Sequence, residues 1–350
     1  MTTVQLERKE LLAAVSAVAP ALAKKSAVLQ HLHLWFSPDH ITAFDDVLGI
    51  RVPLRTGLEI GVNGALLLGL LNASLAKSAA LSAHENELEI KLAGSKAEVP
   101  VLSTDQSILE VPAIPKSGGV PIDKHMLSCL EHVRLSVSSD GYAGISFIPD
   151  KKWLMIFATD GRTVSWGSTK ISAGDGYGTL PERLDVPERF CEQVVALCDN
   201  EKGTLYLAED RILAVCGSSK TLVYSRVMET NKALDYLGTR ERLRPKDKPV
   251  PIPPRLGMAL ERAAVLSAGA SMERASFSLD GGELRINLSG PLGTLNERIP
   301  LEGKHSKQDA NFDCAPIRRG VGKLESFQMT DECMVMLGDD DRGYIIAALG

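Results

Sequence analysis

Apolar residues recur along this chain at two spacings, that of helices and that of strands, and the alternation comes round three times at intervals of about 120 residues. The opening helix of each round carries its apolar residues on one face: Leu12, Val15, Ala19 and Leu22, then Met126, Leu127, Leu130 and Val133, then Leu256, Leu260, Ala263 and Ala264. A second amphipathic helix follows in each, with Leu67, Leu71 and Leu75, then Phe190, Val194 and Leu197, then Ile317, Val321 and Leu324; the last two sets share an i, i+4, i+7 spacing. Between helices, strict alternation predicts strands. Leu88, Ile90 and Leu92, a Gly94-Ser95 turn, and Ala97, Val99 and Val101 read as a hairpin. The second round repeats it with Leu205, Leu207, Ile212, Ala214, Cys216, Leu222 and Tyr224. In the third, Glu283 to Leu288 and Cys333 to Leu337 precede an acidic turn, Gly338 to Gly343, and a terminal strand of Tyr344, Ile345 and Ile346. Every round is therefore α+β with antiparallel sheets.

Punctuation separates the rounds. Pro112, Pro115, Ser117, Gly118, Gly119 and Pro121 form one linker and the charged, proline-rich stretch Arg240 to Pro254 a second. The expected domains are 1–118, 119–247 and 248–350. A chain of 350 residues, 44% hydrophobic, can bury several separate cores, which fits three modules. No run of about 18 apolar residues occurs and Met1 to Glu10 is polar, so a cytoplasmic protein without a membrane partner is expected. Cys129, Cys191, Cys198, Cys216, Cys314 and Cys333 lie far apart with no CxxC pair, which predicts small buried apolar residues rather than a zinc site or a disulfide framework.

Candidate chemistry is sparse. His31 and His33 would share a strand face but have no third ligand nearby. Gly174-Asp-Gly-Tyr-Gly178 lacks the buried strand, helix and lysine of a phosphate loop and reads as an inter-strand loop. Asp339, Asp340 and Asp341 lack the spacing of a calcium loop and read as a solvated hairpin tip. No nucleophile beside a base and no carboxylate pair emerges, so a non-catalytic protein without cofactors is expected. The net charge of −5 argues against a broadly basic surface. Basic residues nonetheless fall on or beside helices: Lys24 and Lys25, Arg255 and Arg262, and Arg318, Arg319 and Lys323 on a helix expected from Ala315 to Ser326. Taken singly, such sets are solvated helix faces.

Ala158-Thr-Asp-Gly-Arg162, after the apolar strand Trp153 to Phe157 and before Val164, resembles the Ala-Thr-Asp-Gly-His-Arg-Leu segment in the middle domain of bacterial sliding clamps, the beta subunit of DNA polymerase III. The likeness extends over nearly the whole chain. Leu11 to Leu29, Leu32 to Phe36 and Ile41-Thr-Ala-Phe-Asp45 resemble the family's opening helix and first strands. Leu180 to Asp199, Tyr224-Ser-Arg-Val, Asp235-Tyr236 and Leu260 to Ser267 are similar to its second-domain helix, its interdomain segment and its third domain's first helix.

The resemblance implies three repeated clamp-type domains, each with two helices packed on antiparallel sheets, in a head-to-tail homodimer closed into a ring. The partners it implies are double-stranded DNA, encircled without sequence readout, and the DNA polymerase and clamp loader, held through short linear peptides. Lys24, Lys25, Arg255, Arg262, Arg318, Arg319 and Lys323 would then line a basic lumen within an acidic ring. Val99 and Val101 would pack against Val265 and Leu266 of the next subunit, with Pro100 removing one donor from that edge. A peptide pocket would be walled by Tyr142, Thr159, Gly161, Arg162, Thr163, Val164, Leu234, Ile345, Ala347 and Leu349. Two segments depart from the family pattern: Arg162-Thr163-Val164 after the glycine, and the ending Ala347-Ala348-Leu349-Gly350. Such divergence would suit a clamp carried by a phage or other mobile element. The alternative is a clamp-like decoy that binds the same peptides without encircling DNA.

Overall fold

The computed structural model describes residues 2–116, 118–137, 144–171, 182–198, 202–208, 210–229, 235–242, 248–338 and 341–349. Two compact units form. The first comprises Met1–Leu127, Ser172–Pro181 and Arg189–Met228, the second Ser128–Ile171, Glu182–Glu188 and Glu229–Gly350. The middle third of the sequence is thus divided between them.

Seven α-helices occur among the described residues: α1 (Arg8–Val18), α2 (Gly64–Asn72), α3 (Lys124–Val133), α4 (Glu188–Leu197), α5 (Tyr236–Arg242), α6 (Pro254–Leu266) and α7 (Cys314–Gly320). In the first unit, twelve strands pair in the order Thr2–Glu7, Ser78–Ala83, Glu87–Leu92, Ser95–Ser103, Ile60–Asn63, His33–Ser37, His40–Phe44, Leu48–Pro53, Thr221–Arg226, Arg211–Cys216, Gly203–Leu207 and Val120–Ile122. The second unit has eight, in the order Leu184–Pro187, Gly144–Asp150, Trp153–Thr159, Thr163–Lys170, Gly343–Ala347, Cys333–Leu337, Ser326–Met329 and Val250–Pro251, beside a two-stranded hairpin, Arg274–Gly290 with Gly293–Asp313. The fold is α+β and these ladders are antiparallel, as the alternation of apolar residues predicts.

Several expected boundaries move, each for a local reason. Helix α1 stops at Val18 because Pro20 cannot donate to a continuing helix, and Ala19–Ala21 forms a 3₁₀ turn instead. Its buried face is Leu11, Ala14, Val15 and Val18, not the row from Leu12 to Leu22. Asn63 caps α2 by accepting from the Leu66 amide at 3.0 Å, and α2 ends at Asn72, leaving Leu75 outside the helix and almost fully exposed. Helix α7, capped by Asp313, ends at Gly320; Gly322 takes φ +86°, and so Val321, Lys323 and Leu324 lie in the turn beyond it. The expected linker Arg240 to Pro254 begins inside α5 and holds the strand Val250–Pro251. Glu283 to Leu288 is only the middle of a 17-residue strand whose buried row runs Ala275, Phe277, Leu279, Leu284, Ile286 and Leu288. The register slips near Gly281, at φ +60°, so that one face stays apolar along the whole length.

The reading of the cysteines needs one correction. Cys198, just after α4, and Cys216, at the end of its strand, form a disulfide with their Cα atoms 4.8 Å apart. Their separation of 18 residues gives no hint of this, since the bond depends on where two unrelated elements meet. Cys129, Cys191, Cys314 and Cys333 are buried thiols outside any disulfide, as expected. His31 lies in a 3₁₀ turn and not on the strand that His33 opens, so the two imidazoles do not share a face. No described helix is long and apolar enough to cross a membrane, and no group of three or more His, Cys, Asp or Glu among the described residues could hold a metal ion.

Candidate functional site

Strand Trp153–Thr159 passes to strand Thr163–Lys170 through a turn organised by one carboxylate. Asp160 Oδ1 accepts from the amides of Arg162 at 2.9 Å and Thr163 at 2.6 Å, while Gly161 takes φ +82°. The Thr159 hydroxyl donates to the Thr163 carbonyl and accepts from the Gly161 amide, and the Thr163 hydroxyl reaches Ser136. Thr159 and Thr163 are therefore buried supports of the turn, and Gly161 and Arg162 stand exposed at its tip. Beside the turn, Ala347 donates its amide to the Arg162 carbonyl at 2.9 Å, and Val164 is in register with Ile345.

Ile345 is buried in an apolar cluster with Met155, Phe157, Trp166 and Val335, and Val164, half-buried, packs against it. Tyr236 of α5 stacks on Phe157 at 5.1 Å between ring centroids. Ala347 is exposed and Leu349 half-buried, the latter tied by its amide to the Asn311 carbonyl at 2.7 Å. The structure thus brings together Thr159, Gly161, Arg162, Thr163, Val164, Ile345 and Ala347; Tyr142 and Leu234 lie outside the described residues, as do Gly174 to Gly178, Asp339, Asp340 and Gly350. The sequence reading missed Tyr236 as a contributor, though an aromatic beside an apolar strand end was the available signal.

The first unit repeats the backbone and the aspartate of this turn, with Phe44 and Leu48 in place of Thr159 and Thr163. Asp45 Oδ1 accepts from the amides of Val47 and Leu48, Asp46 takes φ +82°, and the Arg226 amide donates to the Val47 carbonyl at 3.2 Å. Leu48 pairs with Ser225 and Gly49 with Tyr224, matching Thr163 with Ile346 and Val164 with Ile345. An arginine serves each turn: Arg189 reaches Asp45 Oδ2 and the Pro20 carbonyl, and Arg319 lies 3.9 Å from Asp160 Oδ2 and donates to the Leu135 carbonyl at 2.8 Å. Pro20 and Leu135 sit in corresponding 3₁₀ turns after α1 and α3. The shared Ala-x-Asp in Ala43-Phe-Asp45 and Ala158-Thr-Asp160 was the sequence trace of this repetition.

The basic residues divide by their neighbours. Arg318 does not stand on a solvated face: it grips Glu273 through both terminal nitrogens at 2.6 and 2.9 Å and donates to the Leu260 carbonyl of α6. Hydrogen bonding to Glu273 raises its pKa above the ordinary arginine value. Arg262 pairs with Glu297. Lys24, Lys25, Arg255 and Lys323 are exposed and have no ion-pair partner among the described residues. Among the described residues, no carboxylate compensates these four charges.

Among the residues expected at a subunit contact, Val265 on α6 is 68% exposed, with Met258 two turns earlier on the same face, also exposed. Leu292, exposed too, donates its amide to the Leu266 carbonyl. Leu266 itself packs partly against its own unit's core. Val99 needs correction, because at 3% exposure it faces its own core opposite Leu88 and has no surface to offer; Val101 is half-buried and Pro100 exposed.

The architecture that holds these features, α+β with long antiparallel ladders throughout, is the fold of the bacterial DNA polymerase sliding clamps. The solved structures it matches include the DNA polymerase III beta subunit of Pseudomonas aeruginosa bound to griselimycin, at 16% identity and TM-score 0.86, covering 100% of this chain and 99% of that one. The sliding clamp of Bacillus subtilis matches at 15% identity and TM-score 0.84, covering 100% and 99%. The beta subunit of Thermotoga maritima matches at 16% identity and TM-score 0.84, covering 100% of both chains. No protein-family model and no curated protein matches the sequence.

Proposed function

We propose that this chain is a DNA sliding clamp, a non-catalytic processivity factor that encircles duplex DNA and tethers a replicative polymerase. The observation that carries the reading is the likeness of fold to sliding clamps over the full length of both chains, where a shared module alone would match only in part. On this reading the chain is organised as three clamp domains, 1–118, 119–247 and 248–350, and two chains close head to tail. Val101 and Pro100 of one chain would meet Val265 and Leu292 of the next, a contact that covers exposed apolar side chains.

DNA retention would be topological. Lys24, Lys25, Arg255 and Lys323, which pair with no carboxylate among the described residues, would attract the phosphates, while Arg318 and Arg319 hold the protein together. Such contacts are loose and water-mediated, because the ring has to slide and needs no sequence readout. The partner peptide would dock by an apolar anchor where Val164 and Leu237 leave the cluster around Ile345 and Tyr236 half-exposed.

Two measurements test this. Sedimentation should give about twice the 37.7 kDa chain mass, and Val265→Asp should give the single-chain mass, because a charge desolvated against an apolar strand opposes closure. With a clamp loader and ATP, the protein should stay on nicked circular DNA and slide off linear ends. Equal retention on both templates, or a monomer that binds no circle, overturns the reading.

A further inference from the structure

The repeated turn marks a second place in the molecule built like the patch around Val164. At the junction of strands Leu48–Pro53 and Thr221–Arg226 in the first unit, Phe44 and Tyr224 stack with ring centroids 5.9 Å apart. Leu213 and Leu222 lie against them, and Leu109 and Val111 of the following segment pack on the same cluster. In the second unit the corresponding strands carry Val164 and Ile345, with α5 laid across. Position for position, Phe44, Asp46, Gly49, Tyr224 and Arg226 stand where Thr159, Gly161, Val164, Ile345 and Ala347 stand.

The described residues do not fill this junction. A recess of about 160 Å³ remains, with Phe44, Tyr224 and Ile108 as its apolar walls and Asp46, Glu110, Arg211 and Arg226 at its rim. An apolar cavity of about 150 Å³ accepts benzene, so this one has room for a single phenylalanine- or leucine-sized side chain. The rim charges are mostly matched. Arg226 pairs with Asp46 at 3.0 Å and lies over the Phe44 ring, and Arg211 pairs with Asp210 at 2.9 Å. Glu110 is exposed and has no ion-pair partner among the described residues. One unmatched negative charge beside an aromatic recess favours a ligand that brings an apolar anchor and a cation together.

We propose that this recess is a second peptide-docking site, taking a short linear segment whose phenylalanine side chain enters between Phe44, Ile108 and Tyr224 while an adjacent basic residue meets Glu110. The site is complete within the first unit and needs neither DNA nor a closed ring. Its failure would therefore leave the clamp reading intact, and the converse also holds.

The test uses the full chain and the acetylated, amidated pentapeptide Ser-Lys-Phe-Leu-Ser, titrated by calorimetry and by two-dimensional NMR. Saturable binding below about 1 mM is expected, with shifts at Ile108 and Glu110. Ile108→Asp, at a position already exposed, should weaken binding at least tenfold, and Glu110→Lys should weaken it several-fold and reverse its dependence on salt. A peptide with alanine for phenylalanine should not bind. Absence of saturable binding, unchanged affinity in Ile108→Asp, or NMR shifts confined to the residues around Val164 would each overturn the proposal; the last would place the peptide on the other cluster.

Discussion

Removing Arg318 should lower the stability of the molecule and leave what the molecule holds unaffected. Its guanidinium makes two charge-assisted hydrogen bonds to Glu273 and a third to the Leu260 carbonyl, and so joins α7 to α6 and to the start of the long hairpin. The pair is neither a surface bridge nor a fully buried one, with side-chain exposures of 26% and 20%. Exposed pairs contribute about 0–1 kcal/mol, and breaking buried ones costs about 3–5 kcal/mol. An intermediate cost of about 2–3 kcal/mol follows for Arg318→Ala, since the change leaves the Glu273 carboxylate half-buried without its cation. For a unit of this size, that corresponds to a fall in Tm of about 4–12 °C. Thermal unfolding followed by circular dichroism measures it, and Lys323→Ala is the control, with an expected change under about 0.5 kcal/mol. A cycle with Glu273→Gln should return a coupling of about 1–3 kcal/mol. An Arg318→Ala protein with unaltered Tm but weakened duplex binding would refute the reasoning and return this arginine to the DNA-facing set.

Two further outcomes follow from the cysteines. Denatured without reductant, the chain should take four equivalents of maleimide, and six after reduction; with its 18-residue span, the Cys198–Cys216 bond should contribute about 3 kcal/mol, read as a lower denaturation midpoint in reductant. Equal labelling before and after reduction would dispose of the pairing. Burial pushes the Cys314 thiol up to about 12 from an ordinary value of 9.0, so its contribution is intact below about pH 9 and declines above it, as the unfolded chain releases a proton that the folded chain keeps. Denaturation curves between pH 8 and 11 should show this decline, and Cys314→Ser, whose hydroxyl does not titrate there, should lessen it.

Local order was legible in the sequence. The threefold alternation of helical and strand spacing named the elements, because burial of one face imposes a period of 3.6 or 2 wherever a core exists. It located the buried rows of α3, α4 and α6 through Met126, Leu130, Val194, Leu256 and Leu260, and the Ala158-Thr-Asp-Gly161 turn. The sequence was silent wherever the outcome depended on partners distant along the chain. Arg318, Arg319 and Lys323 look alike as letters, yet one is clasped by Glu273, one braces a 3₁₀ carbonyl beside Asp160, and one has no ion-pair partner among the described residues, since a cation's role is set by which carboxylate or carbonyl folding brings within about 3 Å. Val99 and Val101 share a strand face by parity, but only the tertiary structure sinks Val99 into the core and leaves Val101 near the surface. Cys198 met Cys216 in the same way. The recess under Ile108 also belongs to the tertiary level: the repeated aspartate turn was written in the chain, but whether a junction closes over an aromatic stack or leaves room beside it depends on how the connecting segment packs across the sheet.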